Sequence, residues 1–191
     1  EIKELLRKLY VNKSLAEKRE EEIRKKREEE RRRKEEEEQK KIKEIDQKFA
    51  NNKGKLPWPV NGTITEKQGK YVHSQNVGPP IKGYNTWAKI QTKKNSEVKL
   101  PFDGIIFSMN LLDLYSGVII VDHGDQYYTV YANLNENLPE TLNVGEYYNK
   151  NTLIGNVSDS EDGKYGELNF GIWKVSNDGE FNYLNPEDWV E

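Results

Sequence analysis

From Glu17 to Lys41 every residue except Ile23 and Gln39 is charged, in alternating acidic and basic blocks. No such stretch can enter a core, because each buried charge would need a partner and its hydrogen bonds. At helical spacing Glu20 faces Arg24, Glu21 faces Lys25 and Glu22 faces Lys26, while Glu28, Glu29 and Glu30 meet Arg32, Arg33 and Lys34. Each acid-first i,i+4 pair contributes about 0.3–0.5 kcal/mol, and many together hold a solvated helix without a hydrophobic partner. The run lacks the apolar a/d seam of a coiled coil, so it reads as a spacer rod. Apolar residues return at Ile42, Ile45 and Phe49, and Asn51–Gly54 ends the helix.

The other end of the rod suggests a break. Ser14-Leu15-Ala16-Glu17 fits a capping box, and Val11-Asn12-Lys13 before it is poor helix. The spacing predicts a short amphipathic helix over residues 1–11 and a long charged helix over 15–50. Ile2, Leu5, Leu6 and Leu9 form one apolar stripe on the short helix. A helix this short is not stable alone in water, so the stripe is expected to be buried. Candidate sites are a groove of the following domain, a second copy of the chain, or an upstream coiled coil.

After Leu56-Pro57-Trp58-Pro59 the composition turns to Tyr, Val, Ile, Gly and Asn, with no helical period beyond residue 54. Strands are expected at 97–100, 104–108, 117–122, 127–132, 152–157 and 167–175. Turns are expected at Asp122–Asp125 and Ser176–Gly179. The reading is α+β: a helical arm over 1–54 and an all-β domain over 55–191.

Net charge is only −3, which gives no one-signed field for nucleic acid. No apolar run is long enough to span a membrane. The absence of cysteine excludes disulfides and thiolate metal sites. The first residues are already charged and helical, so a targeting segment is expected to lie outside this sequence.

Residues 55–190 resemble the LytM-type domain of the M23 zinc peptidases, which cut peptidoglycan peptides. The resemblance runs through LPWPVNGTI (56–64), FDGII (102–106), VIIVDHGDQYYTVYANL (118–134), LNVGEYYNKNTLIGNV (142–157), and GELNFGIWK (166–174) followed by LNPEDWV (184–190). With the charged arm in front, the chain looks most similar to the EnvC-like murein hydrolase activators, and among those to the Bacteroidota versions.

The catalytic members of that family hold zinc with a His and an Asp spaced H-x-x-x-D and with the second His of H-x-H. The first His of H-x-H and a His after the "Y-a" of a central strand assist. Carried onto this sequence, the first ligand falls on Asn85, the Asp on Lys89, the third ligand on Asn169, and the helpers on Glu167 and Asn133. All five differ from the family pattern. Zinc prefers imidazole, carboxylate or thiolate donors, and an ammonium in place of a carboxylate repels it. Without the metal, no hydroxide nucleophile forms at neutral pH. The resemblance therefore implies a degenerate site with no catalytic residue, no metal and no cofactor. Of the two histidines, His73 is expected on an exposed loop and His123 to stabilise the Asp122–Asp125 turn.

The vacated groove is expected to carry Asn133, Glu167 and Asn169, flanked by Trp87, Tyr131 and Trp173, a mix suited to peptide or helix recognition. The resemblance implies a periplasmic, non-catalytic activator of an N-acetylmuramoyl-L-alanine amidase, acting in cell division and daughter-cell separation. Through an upstream coiled coil it would join an FtsEX-like membrane complex. The Ile2, Leu5, Leu6 and Leu9 helix would inhibit it by covering the groove. Two other readings are a zinc peptidoglycan endopeptidase with displaced ligands and a non-regulatory module that binds peptidoglycan.

Overall fold

A computed structural model describes residues 1–75 and 77–191, excepting the side chains of residues 8–11, 39 and 41–48. The chain divides into two compact units, Glu1–Ile42 and Lys43–Glu191.

The first unit lies within a single helix, α1 (Ile2–Phe49), which runs unbroken through Asn12–Ser14. The expected break there is absent. Asn, Lys and Ser inside a helix cost about 0.7 kcal/mol or less each, whereas a break forfeits backbone hydrogen bonds and requires a second nucleation.

Two of the expected pairs form, Glu21–Lys25 at 2.9 Å and Glu30–Lys34 at 3.4 Å. Arg32 and Arg33 reach forward to Glu36 (3.4 Å) and Glu37 (3.9 Å) rather than back to Glu28 and Glu29, and Arg31 reaches Glu35 at 3.7 Å. All these side chains are more than half exposed, so each pair adds a few tenths of a kcal/mol at about the usual surface value. Ile2, Leu5 and Leu6 are 78, 61 and 61 % exposed in the single chain. The side chains of Leu9, Ile42 and Ile45 lie outside the described residues.

The second unit is a β domain. Its strands are Thr63–Glu66 (β1), Gly69–His73 (β2), Ile81–Asn85 (β3), Ala88–Thr92 (β4), Glu97–Lys99 (β5), Gly104–Leu112 (β6) and Ser116–Asp122 (β7). Tyr127–Leu134 (β8), Tyr147–Tyr148 (β9), Leu153–Asn156 (β10), Ser158–Asp159 (β11), Gly166–Val175 (β12) and Phe181–Leu184 (β13) complete it. All six expected strands are present, as β5, β6, β7, β8, β10 and β12. A nine-stranded sheet runs β1-β4-β12-β8-β7-β6-β9, with β11 and β13 also on β12; β10 pairs with β5 and β2 with β3. Every pairing is antiparallel.

Strand alternation builds the core. In β12, Leu168, Phe170 and Ile172 are fully buried and pack in one cluster with Ile119, Val121 and Tyr131 of the neighbouring strands. The alternate residues Glu167, Asn169, Gly171 and Trp173 point to the opposite face.

The end of α1 belongs to this domain. Phe49 is fully buried, stacked on His123 at 4.5 Å and on Trp189 at 5.1 Å, with Phe102 and Tyr127 at 5.4 and 5.3 Å. The division therefore falls at 42/43 rather than at the expected 54/55. The chain terminus closes the same region: Gly54 and Leu56 donate to the Trp189 carbonyl, and Glu191 donates to that of Leu56.

His123 lies under this aromatic cage. Its Nδ1 donates to the Asp103 carbonyl at 2.7 Å, which fixes the tautomer, and its Nε2 accepts from the Thr129 hydroxyl at 2.7 Å. Burial lowers its pKa to about 4, so the ring is neutral. His123 ties the Asp122–Asp125 turn to the core instead of merely stiffening a loop. Close packing here also explains Gly104, where a Cβ would lie 2.5 Å from Val121 Cγ1 and 2.9 Å from His123 Nδ1.

Candidate functional site

Three adjacent strands bring four of the five candidate positions together. In register, Asn169 of β12 lies opposite Lys89 of β4 on one side and Ala132 of β8 on the other. Directly opposed residues share a sheet face, so Lys89, Asn169 and Glu167 project together.

Lys89 is the centre of this group. Its Nζ lies 3.0 Å from Glu66 Oε1 and 3.6 Å from Glu167 Oε1, with the Lys89 side chain 28 % exposed. Burial alone would lower the Lys89 pKa. The hydrogen bond to Glu66 and the charge of Glu167 outweigh that and hold it above the ordinary lysine value. An ammonium thus joins β1, β4 and β12 through two carboxylates. Glu66 went unread in the sequence because β1 is short and largely exposed, with no apolar alternation to mark it.

Asn133 reaches the same face by a different route. The β7–β8 register shifts between Gly117 and Val118, and Asn133 takes φ +66°, the left-handed conformation that Asn tolerates better than most residues. Its Nδ2 donates to the Glu167 carbonyl at 2.8 Å and to that of Asp159 at 3.4 Å. This bulge overturns one expectation. Tyr131, two residues earlier, was expected in the groove beside Asn133. It is instead fully buried in the core, with Phe170 at 5.4 Å, because the bulge breaks the alternation between them.

Asn85 ends β3, in the separate two-stranded sheet, and donates to the Lys67 carbonyl at 3.0 Å. The structure does not bring it into the Lys89 group.

Beside the polar centre lies an aromatic floor. Trp87 and Trp173 are half-buried against Val118, Val130 and Ala132. Trp173 Nε1 donates to the Thr86 carbonyl at 3.0 Å. Gly171 leaves space for that ring: a Cβ there would lie 2.7 Å from Trp173 Nε1. Tyr183 and Phe181 meet the Trp173 ring edge-on at 5.3 and 6.0 Å, and Tyr115 meets Trp87 at 5.1 Å. These rim residues were missed because β13 and the β6–β7 turn carry no motif.

The donor set does not suit zinc. The gathered side chains offer two carboxylates already engaged by one ammonium, and two carboxamides. Asn169 is 93 % buried by its 7 % exposure, and its Oδ1 has no hydrogen-bond partner among the described residues. A single neutral amide oxygen beside Lys89 is a poor ligand for a divalent cation. Among the described residues no three His, Cys, Asp or Glu side chains gather as a metal site.

A family model, peptidase family M23, matches residues 84–186. The uncharacterized protein NMB1333 of Neisseria meningitidis serogroup B is 28 % identical over 149 residues, covering 74 % of this chain and 21 % of that protein. The chain thus spans about a fifth of the length of this curated relative. Helicobacter pylori Csd3 superposes with a TM-score of 0.57 at 22 % identity, over 73 % of this chain and 35 % of that one. The structure of the SpoIIQ–SpoIIIAH pore-forming complex gives 0.56 at 19 % identity, over 73 % and 92 %. The solution structure of lysostaphin gives 0.53 at 17 %, over 71 % and 52 %. At these identities the solved structures speak to the fold. With the family model matching more than half of its length, the chain belongs to peptidase family M23.

Proposed function

We propose that this domain is a non-catalytic member of the family that recognises a protein partner through the groove on the Lys89 face. The observation that carries the reading is the ion pair of Lys89 with Glu66 and Glu167, set where the family resemblance puts the metal. It supplies an internal cation in place of the metal that would lower the pKa of a water nucleophile. The half-buried Trp87 and Trp173 give the groove the aromatic anchors that protein recognition uses. A similar fold has been solved in complex with another protein, SpoIIQ with SpoIIIAH, which is compatible with such a role.

The partner we propose is an N-acetylmuramoyl-L-alanine amidase of the bacterial envelope, activated during daughter-cell separation, with the domain on the periplasmic side. The charged helix is the proposed connection toward an FtsEX-like membrane complex, and its exposed Ile2, Leu5 and Leu6 are available to a partner helix there.

The test is release of dye from labelled sacculi by such an amidase, with and without this protein. The protein alone should release nothing and should stimulate the amidase. Trp87→Ala and Trp173→Ala should each abolish stimulation while circular dichroism stays unchanged. Loss of an aromatic anchor costs about 2 kcal/mol or more, close to a thirtyfold loss of affinity. Hydrolysis by the protein alone, or full stimulation by both variants, overturns the proposal.

A further inference from the structure

Charge is divided sharply within the β domain. Residues 55–99 hold eight lysines against two acidic residues, Glu66 and Glu97, whereas residues 100–191 hold three lysines against sixteen acidic residues. The first segment supplies β1 and β4, which form one end of the main sheet. Of these lysines, Lys89 lies in β4, and Lys67, Lys93 and Lys94 directly follow β1 and β4 at that edge.

A cleft opens at that edge. Beyond the Lys89 group, Gln91 of β4 lies opposite both Glu167 and Thr63, and past it a cleft of about 990 Å³ is bounded by Asn61–Thr63, Gln91–Lys94, Ser96, Lys164 and Tyr165. Lys93, Lys94 and Lys164 are all exposed along it. Lys94 pairs with Asp159 at 2.7 Å and Lys164 with Asp162 at 3.2 Å, each about half-exposed or more and therefore weakly held. Lys93 has no ion pair among the described residues. Two wall hydroxyls are occupied: Thr92 Oγ1 donates to the Asn61 carbonyl at 2.6 Å, and Ser96 Oγ donates to the Lys93 carbonyl at 2.8 Å. Lys93, Lys94 and Lys164 supply the positive charge along this cleft.

We propose that this cleft binds a short acidic segment of a protein partner. Complementary charge at a cleft of this kind steers encounter and fixes orientation. The ligand has to be short, because beyond a Debye length of about 8–10 Å the remaining surface is acidic and repels a long polyanion such as nucleic acid. β1 ends the sheet, and among the described residues no strand lies on its outer side. An extended segment can therefore lie along it. The assignment is independent of the amidase reading, since it uses neither Trp87, Trp173 nor the Lys89 group.

The test is fluorescence anisotropy on the full chain with a labelled short peptide of alternating glutamate and threonine. The same peptide with glutamine or lysine in place of glutamate serves as comparison. The glutamate peptide should bind, weaken as salt rises, and outcompete both comparisons. Combining Lys93→Glu with Lys164→Glu should weaken it about tenfold or more, while Lys150→Glu in the acidic segment should not. Circular dichroism of each variant confirms the fold. Glutamate and glutamine peptides binding alike, no binding at low salt, or no loss on the double charge reversal would each overturn the proposal. So would a DNA duplex that binds as tightly as the glutamate peptide.

Discussion

Replacing Phe49 with alanine tests whether the end of the charged helix is built into the β domain. The side chain is fully buried, with its ring against His123, Trp189, Tyr127 and Phe102 at centroid distances of 4.5 to 5.4 Å. Removing a buried phenylalanine loses its transfer free energy and leaves a cavity, together about 3–5 kcal/mol. Stacking on two ring faces, which an aliphatic side chain cannot reproduce, favours the upper part of that range. Against a total stability of about 5–15 kcal/mol this is a large fraction. With a urea slope of about 1–3 kcal/mol/M, the midpoint should fall by roughly 1–5 M. Tryptophan fluorescence reports the transition directly, because Trp189 stacks on Phe49. Phe49→Leu keeps much of the volume and should cost only about 1–2 kcal/mol, which keeps the experiment readable if the alanine variant does not fold. A loss below about 0.5 kcal/mol in both variants, the range of an ordinary surface change, would refute the clamp.

Two further outcomes follow from His123 and Asn133. His123 has its pKa lowered by burial from 6.5 to about 4, so the folded state binds fewer protons than the unfolded one between those values. Its contribution is complete above pH 6.5 and is lost as the pH falls toward 4, by about 3 kcal/mol in total. Urea midpoints across that window should fall more steeply for the native chain than for His123→Gln; equal slopes would refute the assignment. Asn133→Ala should cost about 2–3 kcal/mol, from the left-handed conformation and the lost bonds to Glu167 and Asp159. Asn133→Gly should recover the conformational part, and equal urea midpoints for the two variants would contradict that division.

Much of this fold is legible in residue periodicity. The alternation of Leu168, Phe170 and Ile172 with Glu167 and Asn169 identifies β12, its buried face and its groove face before any coordinates. The charged run likewise identifies a solvated helix, since nothing in it can be buried. Other features depend on partners distant in sequence. Tyr131 and Asn133 look like neighbours on one face until the bulge at Asn133 separates them, and a bulge leaves no mark in the apolar pattern. Lys89 could be read as a lost ligand, but its ion pair with Glu66 depends on β1 pairing with β4. The unbroken passage of α1 through Asn12–Ser14 shows the converse limit. A good local cap is outweighed by the cooperative hydrogen-bond ladder on either side.

We propose that Lys89, Glu66 and Glu167 form an ammonium-centred ion pair at the position where the family resemblance puts the metal. Zinc content after dialysis at neutral pH, measured on the purified chain alongside isothermal titration with zinc, tests it most directly. The account predicts no stoichiometric zinc and no saturable uptake at the groove. One equivalent that survives dialysis and disappears on Glu167→Ala would contradict it.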